Sequence, residues 1–253
     1  MLEEFLRLNI FGFFLIFSRI GTMFMLMPGF SAQFVSVRVR LAIALAVSFV
    51  VAPFLAASLP GLPSSPAALG LLLGGEVVTG AFLGTLARIL IGALHTSGTL
   101  VAMFSSMANV LIRDPIAEQQ SALLAGFLGN VGILLIFVTD LHHLMLRAMI
   151  DSYSLFVPGQ PLAVADMSNM VARLVMDSFT LGVQLASPFI ITGLTYYLGL
   201  GLLGRLMPAL PVFFIGLPLQ IMAQLSVLAI ALSGMMLVFL TQFENTFTSF
   251  LAP

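Results

Sequence analysis

The chain has 253 residues, of which 60% are hydrophobic and only 8% are charged, and its mean hydropathy is +1.15. A water-soluble domain averages about 25% charged residues, so this chain cannot cover a water-facing surface by itself. Its net charge of −1 gives no electrostatic case for nucleic-acid binding, and the lack of cysteine excludes disulfides and thiolate metal sites. The chain must therefore lie in lipid, against other apolar subunits, or both.

Six apolar stretches fill most of the chain. They lack the two-residue alternation of a transmembrane barrel, and each is too long for a strand, so we interpret them as helices. Four of them, the first, third, fifth and sixth, reach the ~20 residues that a helix needs to cross ~30 Å of hydrocarbon. The sequence therefore predicts an all-α membrane protein. The stretches are residues 8–27, 41–59, 69–94, 122–139, 174–203 and 212–240.

Proline and glycine residues separate the predicted elements. Met27-Pro28-Gly29 ends the first helix, and Asp114-Pro115 is typical of a helix start, with the aspartate as N-cap. The end of the chain predicts a long helical hairpin, with arms at residues 171–205 and 212–240. Pro188 and Pro218 lie inside these arms and are expected to kink them.

A stripe of residues at four-residue spacing runs along the third stretch: Glu76, Gly80, Gly84 and Arg88. Small residues at this spacing allow close helix packing, and charges in a span usually face protein or water. The stripe is either a pore-lining or subunit-contact face, or an ordinary packing face with two charges, and we favour packing because the pattern is common. Arg19, in the first stretch, either snorkels or bonds to main-chain carbonyls, or it lines a cavity, and the sequence alone does not separate these interpretations.

The segment 100–112 is apolar but interrupted by polar residues. Met103, Phe104 and Met107, with Val110, suit a deformable plug that closes a pore by excluding water, because thioether chains adapt their shape. Plain core packing is the alternative. The polar interruptions predict a loop or a bent helix, and they are Ser105, Ser106 and Asn109.

Signatures of enzymes and cofactors are weak. The sequence 199–204 matches G-x-G-x-x-G, but it follows a helical stretch instead of a strand. His95 and Ser97 lie two residues apart, where a helix directs side chains away from each other. Adjacent His142 and His143 favour structural polar contacts over metal binding, with a neighbouring ion pair between Arg147 and Asp151. We therefore predict no catalysis, no cofactor and no metal.

A series of short motifs occurs in a specific order along the chain. They are Arg19, Met27-Pro28, residues 37–41, Gly75-Glu76 with Gly80 and Gly84, Asp114-Pro115 with residues 119–121, residues 141–143, Asp151-Ser152, Pro158-Gly159, residues 185–188, residues 198–205, Pro208 and residues 212–219. In this order and spacing, over nearly its whole length, the chain resembles the FliR/SctT family of export-gate membrane proteins in flagellar and injectisome type III secretion. It departs from the family pattern at residues 209–211, where a polar pair is usual, and at Gln220, where lysine is common.

This resemblance implies a fold and a function. Residues 1–170 would be a FliP-like helical part with the plug segment at 100–115, and residues 171–253 a FliQ-like helical hairpin. The chain would assemble with FliP-like, FliQ-like and FlhB-like subunits in the bacterial inner membrane, at the flagellar basal body. There it would complete and close the channel for unfolded export substrates. The plug would then be formed by Met103, Phe104 and Met107.

A secondary transporter for a small solute is the alternative function. Glu76, Arg88 and Arg19 would then line a binding site near the bilayer midplane, where broken helices of transporters usually bind substrate. This alternative predicts a monomer or homodimer that takes up solute, whereas an export gate predicts a hetero-oligomer.

Overall fold

In a computed structural model, residues 2–32, 34–107, 123–207 and 212–251 are described, and these ranges are mostly helical and contain no strand. All six apolar stretches coincide with helices, as predicted. The described ranges contain seven α-helices, which are α1 (Leu2–Leu26), α2 (Val37–Leu55), α3 (Pro66–Phe104), α4 (Leu123–Val138), α5 (Leu141–Leu155), α6 (Val164–Leu206) and α7 (Val212–Leu251).

Four of the described helices, α2, α3, α6 and α7, are long and apolar enough to cross a membrane. The pair α4–α5 is bent by 76° and counts as a fifth span if it crosses as one broken unit. This confirms the all-α membrane class. Helix α2 qualifies as a span with 19 residues, and α1 is 25 residues long.

Local sequence explains where two of these helices begin. Ser36 precedes α2 in an extended conformation, and its hydroxyl accepts a hydrogen bond from the main-chain N–H of Val39 at 3.4 Å. Ser65 does the same before α3, accepting from the N–H of Ala68 at 3.2 Å. Pro66 follows as the first helical residue, where its missing N–H is not needed.

The described residues form two compact units that do not follow chain order. The first contains Met1–Ile89, Phe137–Leu174 and Glu244–Pro253, and the second contains Leu90–Ile136 and Val175–Phe243. Helices α3, α6 and α7 each contribute residues to both. The predicted boundary near residue 170 separates a FliP-like part from a FliQ-like part, and the two compact units do not test it. That boundary stays a prediction.

The first unit is packed around one face of α1. Five apolar side chains of α1 are almost fully buried there, at positions that recur on one side of a helix. Aromatic rings extend this core, since Phe30 lies between Phe24 and Phe137 at centroid distances of 4.9 and 5.4 Å. The five buried side chains are Leu15, Ile16, Ile20, Met23 and Phe24.

The second unit contains the facing segments of α6 and α7. The Tyr196 hydroxyl donates to the main-chain carbonyl of Gly216 at 2.6 Å, and Thr192 lies beside Gln224. Because the residue number rises on one helix as it falls on the other, the two arms run antiparallel. Pro188 and Pro218 lie inside α6 and α7, as the sequence predicted, and residues 208–211 fall outside the described ranges.

Candidate functional site

A buried ion pair joins α1 to α3 in the first unit. The Arg19 Nε donates to Glu76 Oε2 at 2.6 Å, and Nη2 donates to Oε1 at 2.9 Å. Both side chains are almost completely buried, at 1% and 3% exposure. This bidentate arrangement is the strongest geometry available to an arginine and a carboxylate. The two charges therefore neutralise each other inside the protein.

Helix α5 and the residue that follows it complete the coordination of Arg19. Nη1 donates to the Ser152 hydroxyl at 3.1 Å, and Nη2 donates to the Phe156 carbonyl at 2.8 Å. The guanidinium carbon also lies 3.8 Å from the centroid of the Tyr153 ring. Four of the five guanidinium N–H groups thus have acceptors, and one arginine ties α1, α3 and the end of α5 together.

Glycine allows α1 to approach α3 closely beside this pair. A Cβ atom on Gly80 would overlap the main-chain carbonyl of Arg19, and one on Gly84 would lie 2.7 Å from Leu26 Cβ and 3.0 Å from the Met23 carbonyl. The structure therefore places Glu76, Gly80 and Gly84 against α1.

Arg88, the fourth residue of the predicted stripe, departs from this face. Each four-residue step on an α-helix adds about 40° of rotation, so three steps move Arg88 about 120° away from Glu76. Its side chain is exposed, and in the described part of the chain no hydrogen bond or ion pair holds it. Residues at four-residue spacing on α3 thus belong to two different surfaces, since Glu76 is buried against α1 and Arg88 is exposed.

The C-terminal end of α3, in the second unit, carries the predicted plug residues. Val101 and Ala102 are buried, but Met103 is 57% exposed, and Phe104 and Met107 are half-buried. The segment is helical up to Phe104 and turns at the residues that follow. Asn109 and Val110, the other predicted members of this segment, lie outside the described residues.

The polar residues of this segment end the helix. The Ser105 hydroxyl donates to the Val101 carbonyl at 2.7 Å, and Ser106 has a positive φ of 58° that breaks the helical path. Gln220 of α7 and Tyr197 of α6 bond to this end of α3. Sequence reasoning noted Gln220 only as a departure from the family pattern, with no contact assigned to it, and it missed Tyr197. The available signal was the glutamine itself, since a buried amide in an apolar helix needs a polar partner.

The histidine pair lies at the bend between α4 and α5. His142 stacks on Phe137 with ring centroids 5.0 Å apart, and the His143 Nδ1 lies 3.7 Å from Asp140 Oδ1. Potential ligand atoms of these two histidines and Asp140 lie within 4.8 Å of one another, and the Asp140 and His143 side chains are exposed. The predicted ion pair of Arg147 and Asp151 is wrong, because no salt bridge joins these two side chains. At the start of the same helix, His143 lies beside Asp140 instead.

Comparison with known proteins identifies the family. Residues 10–246 match the family described as "Bacterial export proteins, family 1". A relative named flagellar biosynthetic protein FliR, from Caulobacter vibrioides, is 36% identical over 231 residues, which cover 91% of this chain and 92% of that protein. The chain belongs to this FliR family of bacterial export proteins. Proteins of the same name from Pectobacterium carotovorum and Escherichia coli are each 28% identical, over 87% and 80% of this chain and 84% and 77% of theirs.

Membership of the FliR family settles the broad function. The chain is a membrane component of the flagellar export apparatus and part of a multi-subunit export complex, and it is not an enzyme. The apolar helices described above agree with this placement in a membrane.

Proposed function

We propose that this FliR-family chain completes the wall of the flagellar protein-export channel in the bacterial inner membrane and helps to hold it shut. The closing element is the C-terminal end of α3. One observation carries the proposal: Met103 is 57% exposed, and Phe104 and Met107 are half-buried, directly after the buried Val101 and Ala102. Three large apolar side chains are thus presented at the end of an anchored helix instead of being buried in its core.

Such an end suits a seal for a pore that must open widely and close tightly. A constriction lined by apolar side chains excludes water and ions, and no charge has to be neutralised when it opens. Methionine has three rotatable bonds and a polarisable sulfur, so it fills irregular gaps between neighbours. An unfolded chain that enters the pore would displace these side chains, and they would close again behind it.

The surface of α3 supports assembly with companion subunits. Arg88 lies near the middle of a 39-residue apolar helix and is exposed without a partner in the described residues. A guanidinium facing lipid is costly, so it requires water or a polar group from another subunit. We propose FliP-like, FliQ-like and FlhB-like proteins as these companions, with unfolded flagellar subunits as the transported substrates at the basal body. Residues 1–170 would be the FliP-like part and residues 171–253 the FliQ-like hairpin.

The solute-transporter alternative receives less support from the geometry. Its proposed site would consist of Arg19, Glu76 and Arg88. The first two satisfy each other in a closed, buried pair, and the third points away from them. Neither Arg19 nor Glu76 is therefore left free to bind a solute.

The gate is tested by replacing Met103, Phe104 and Met107 together with alanine in the assembled complex. We expect the ion conductance of membranes containing the complex to rise well above wild type, because the seal loses most of its apolar volume. The matched control replaces three exposed apolar residues elsewhere on α3, and it should remain tight. A triple variant as tight as wild type would refute the gate. The control residues are Leu71, Val77 and Val78.

A further inference from the structure

A buried glutamine holds the last turn of α3. Gln220 of α7 is 0% exposed, and its Nε2 donates to the main-chain carbonyl of Phe104 at 2.9 Å. Its Oε1 accepts a hydrogen bond from the Ser106 hydroxyl at 3.0 Å. A carbonyl can only accept, so the partner at Phe104 fixes which end of the amide is the nitrogen. The Gln220 side chain thus bonds to both a main-chain group and a side chain at the end of α3.

Tyr197 of α6 completes the hydrogen-bonded chain. Its hydroxyl lies 2.9 Å from the Ser106 Oγ. A serine hydroxyl has one proton, and Ser106 donates it to Gln220, so Tyr197 must donate to Ser106. The bonds therefore run in one direction, from Tyr197 through Ser106 to the Gln220 oxygen, while the Gln220 nitrogen donates to Phe104.

The backbone at this end is held in a conformation that serine seldom adopts. Ser106 has a φ of 58°, in the left-handed region, which is unfavourable for a residue with a Cβ. Such a conformation persists only where surrounding contacts define it. The hydrogen bonds from Gln220 and Tyr197 are contacts of this kind.

Close packing of α6 against the same helix end supports this arrangement. A Cβ atom on Gly193 would lie 2.9 Å from the Phe104 Cβ and 2.9 Å from its carbonyl oxygen. Glycine at this position lets α6 reach the carbonyl that Gln220 also binds. The end of α3 thus meets α6 and α7 within the second unit.

We infer that Gln220, Ser106 and Tyr197 form a latch that positions the end of α3 and keeps the export gate closed. This inference rests on the proposed gating function and names the residues that regulate it. Pro218, two residues before Gln220, removes one hydrogen bond from the α7 ladder and allows this part of α7 to bend. Movement of α7 there would withdraw the amide and release Phe104 together with its neighbours Met103 and Met107.

Helix α7 offers a matched control for this latch. Gln224 lies one turn further on the same face and is also buried, at 3% exposure. Its Nε2 donates to the Phe189 carbonyl at 3.4 Å, and its Oε1 accepts from Thr192 at 3.3 Å. The chemistry matches that of Gln220, but both partners belong to α6 and neither lies at the end of α3.

The test compares Gln220→Leu with Gln224→Leu in the assembled complex, by ion conductance and by thiol labelling. Because the chain has no cysteine, Ser105→Cys adds a single reporter at a buried position of the helix end. Loss of the two bonds made by Gln220 should accelerate labelling about tenfold and raise the conductance. The same change at Gln224 should leave both near wild type. Tyr197→Phe, at an exposed position, should raise both the labelling rate and the conductance by a smaller factor without affecting assembly.

The outcomes separate this latch from the gate itself. If the alanine variant of Met103, Phe104 and Met107 leaks while Gln220→Leu and Tyr197→Phe match Gln224→Leu, the latch is refuted and the gate stands. If none of these variants leaks, both fail. If Gln220→Leu does not assemble, Tyr197→Phe decides, and its labelling and conductance at wild-type level would overturn the latch.

Discussion

Replacing Glu76 by leucine removes the carboxylate that faces the buried Arg19 guanidinium. Arg19 then keeps only neutral acceptors, the Ser152 hydroxyl and the Phe156 carbonyl, for a charge that is 1% exposed. Breaking one side of a buried pair costs about 3–5 kcal/mol, a large part of the 5–15 kcal/mol that stabilises a typical domain. Arg19→Met should cost at least as much, because it also leaves the Ser152 and Phe156 acceptors without their donor.

The double variant, Arg19→Met with Glu76→Leu, gives the sharpest expectation. Both charges disappear together, so the double change should destabilise the chain less than either single change does. The coupling between the two positions then exceeds the cost of either single change, so it should be at least about 3 kcal/mol, the upper end for residues in contact. Arg88→Met is the control for charge removal, since Arg88 is exposed and its loss should change stability by about 0.5 kcal/mol or less.

The assay is unfolding of the purified chain in mixed micelles by titration with a denaturing detergent. Far-ultraviolet circular dichroism is the suitable signal, because the protein is helical and contains no tryptophan. If the double variant is destabilised by the sum of the two single destabilisations, the reasoning is refuted. Such additivity would mean that Arg19 and Glu76 are stabilised separately.

Two further predictions concern α3. Gly80→Ala should destabilise the chain by about 1–3 kcal/mol in the same titration, because the added Cβ overlaps the Arg19 carbonyl. Gly74→Ala is the control, because open space surrounds Gly74, and it should stabilise the chain by up to about 1 kcal/mol. Equal effects of the two changes would contradict the close packing at Gly80. Arg88→Leu should reduce the amount of companion subunits that co-purify in mild detergent while leaving the isolated chain's stability nearly unchanged, and undiminished co-purification would remove Arg88 from the subunit contact.

Much of the architecture could be predicted from local sequence. Long apolar stretches require helices in lipid, since only helices or closed barrels satisfy every main-chain group there. The sequence also placed Pro188 and Pro218 inside helices, because the apolar stretches continue on both sides of each proline. The surroundings of each helix were harder to predict, because apolar length alone does not distinguish α1, one face of which is buried in protein, from α2, which is mostly exposed.

Composition and apolar patterning by themselves determined that this chain is an all-α membrane protein, and the order of its motifs indicated its family. Only the tertiary structure decided which polar groups meet. Glu76 and Arg88 share a four-residue stripe, yet the rotation of the helix buries one against Arg19 and exposes the other. Gln220 bonds to a carbonyl 116 residues away. Helical periodicity is a local property of the chain, whereas the partner of a buried charge or amide depends on which helices pack together.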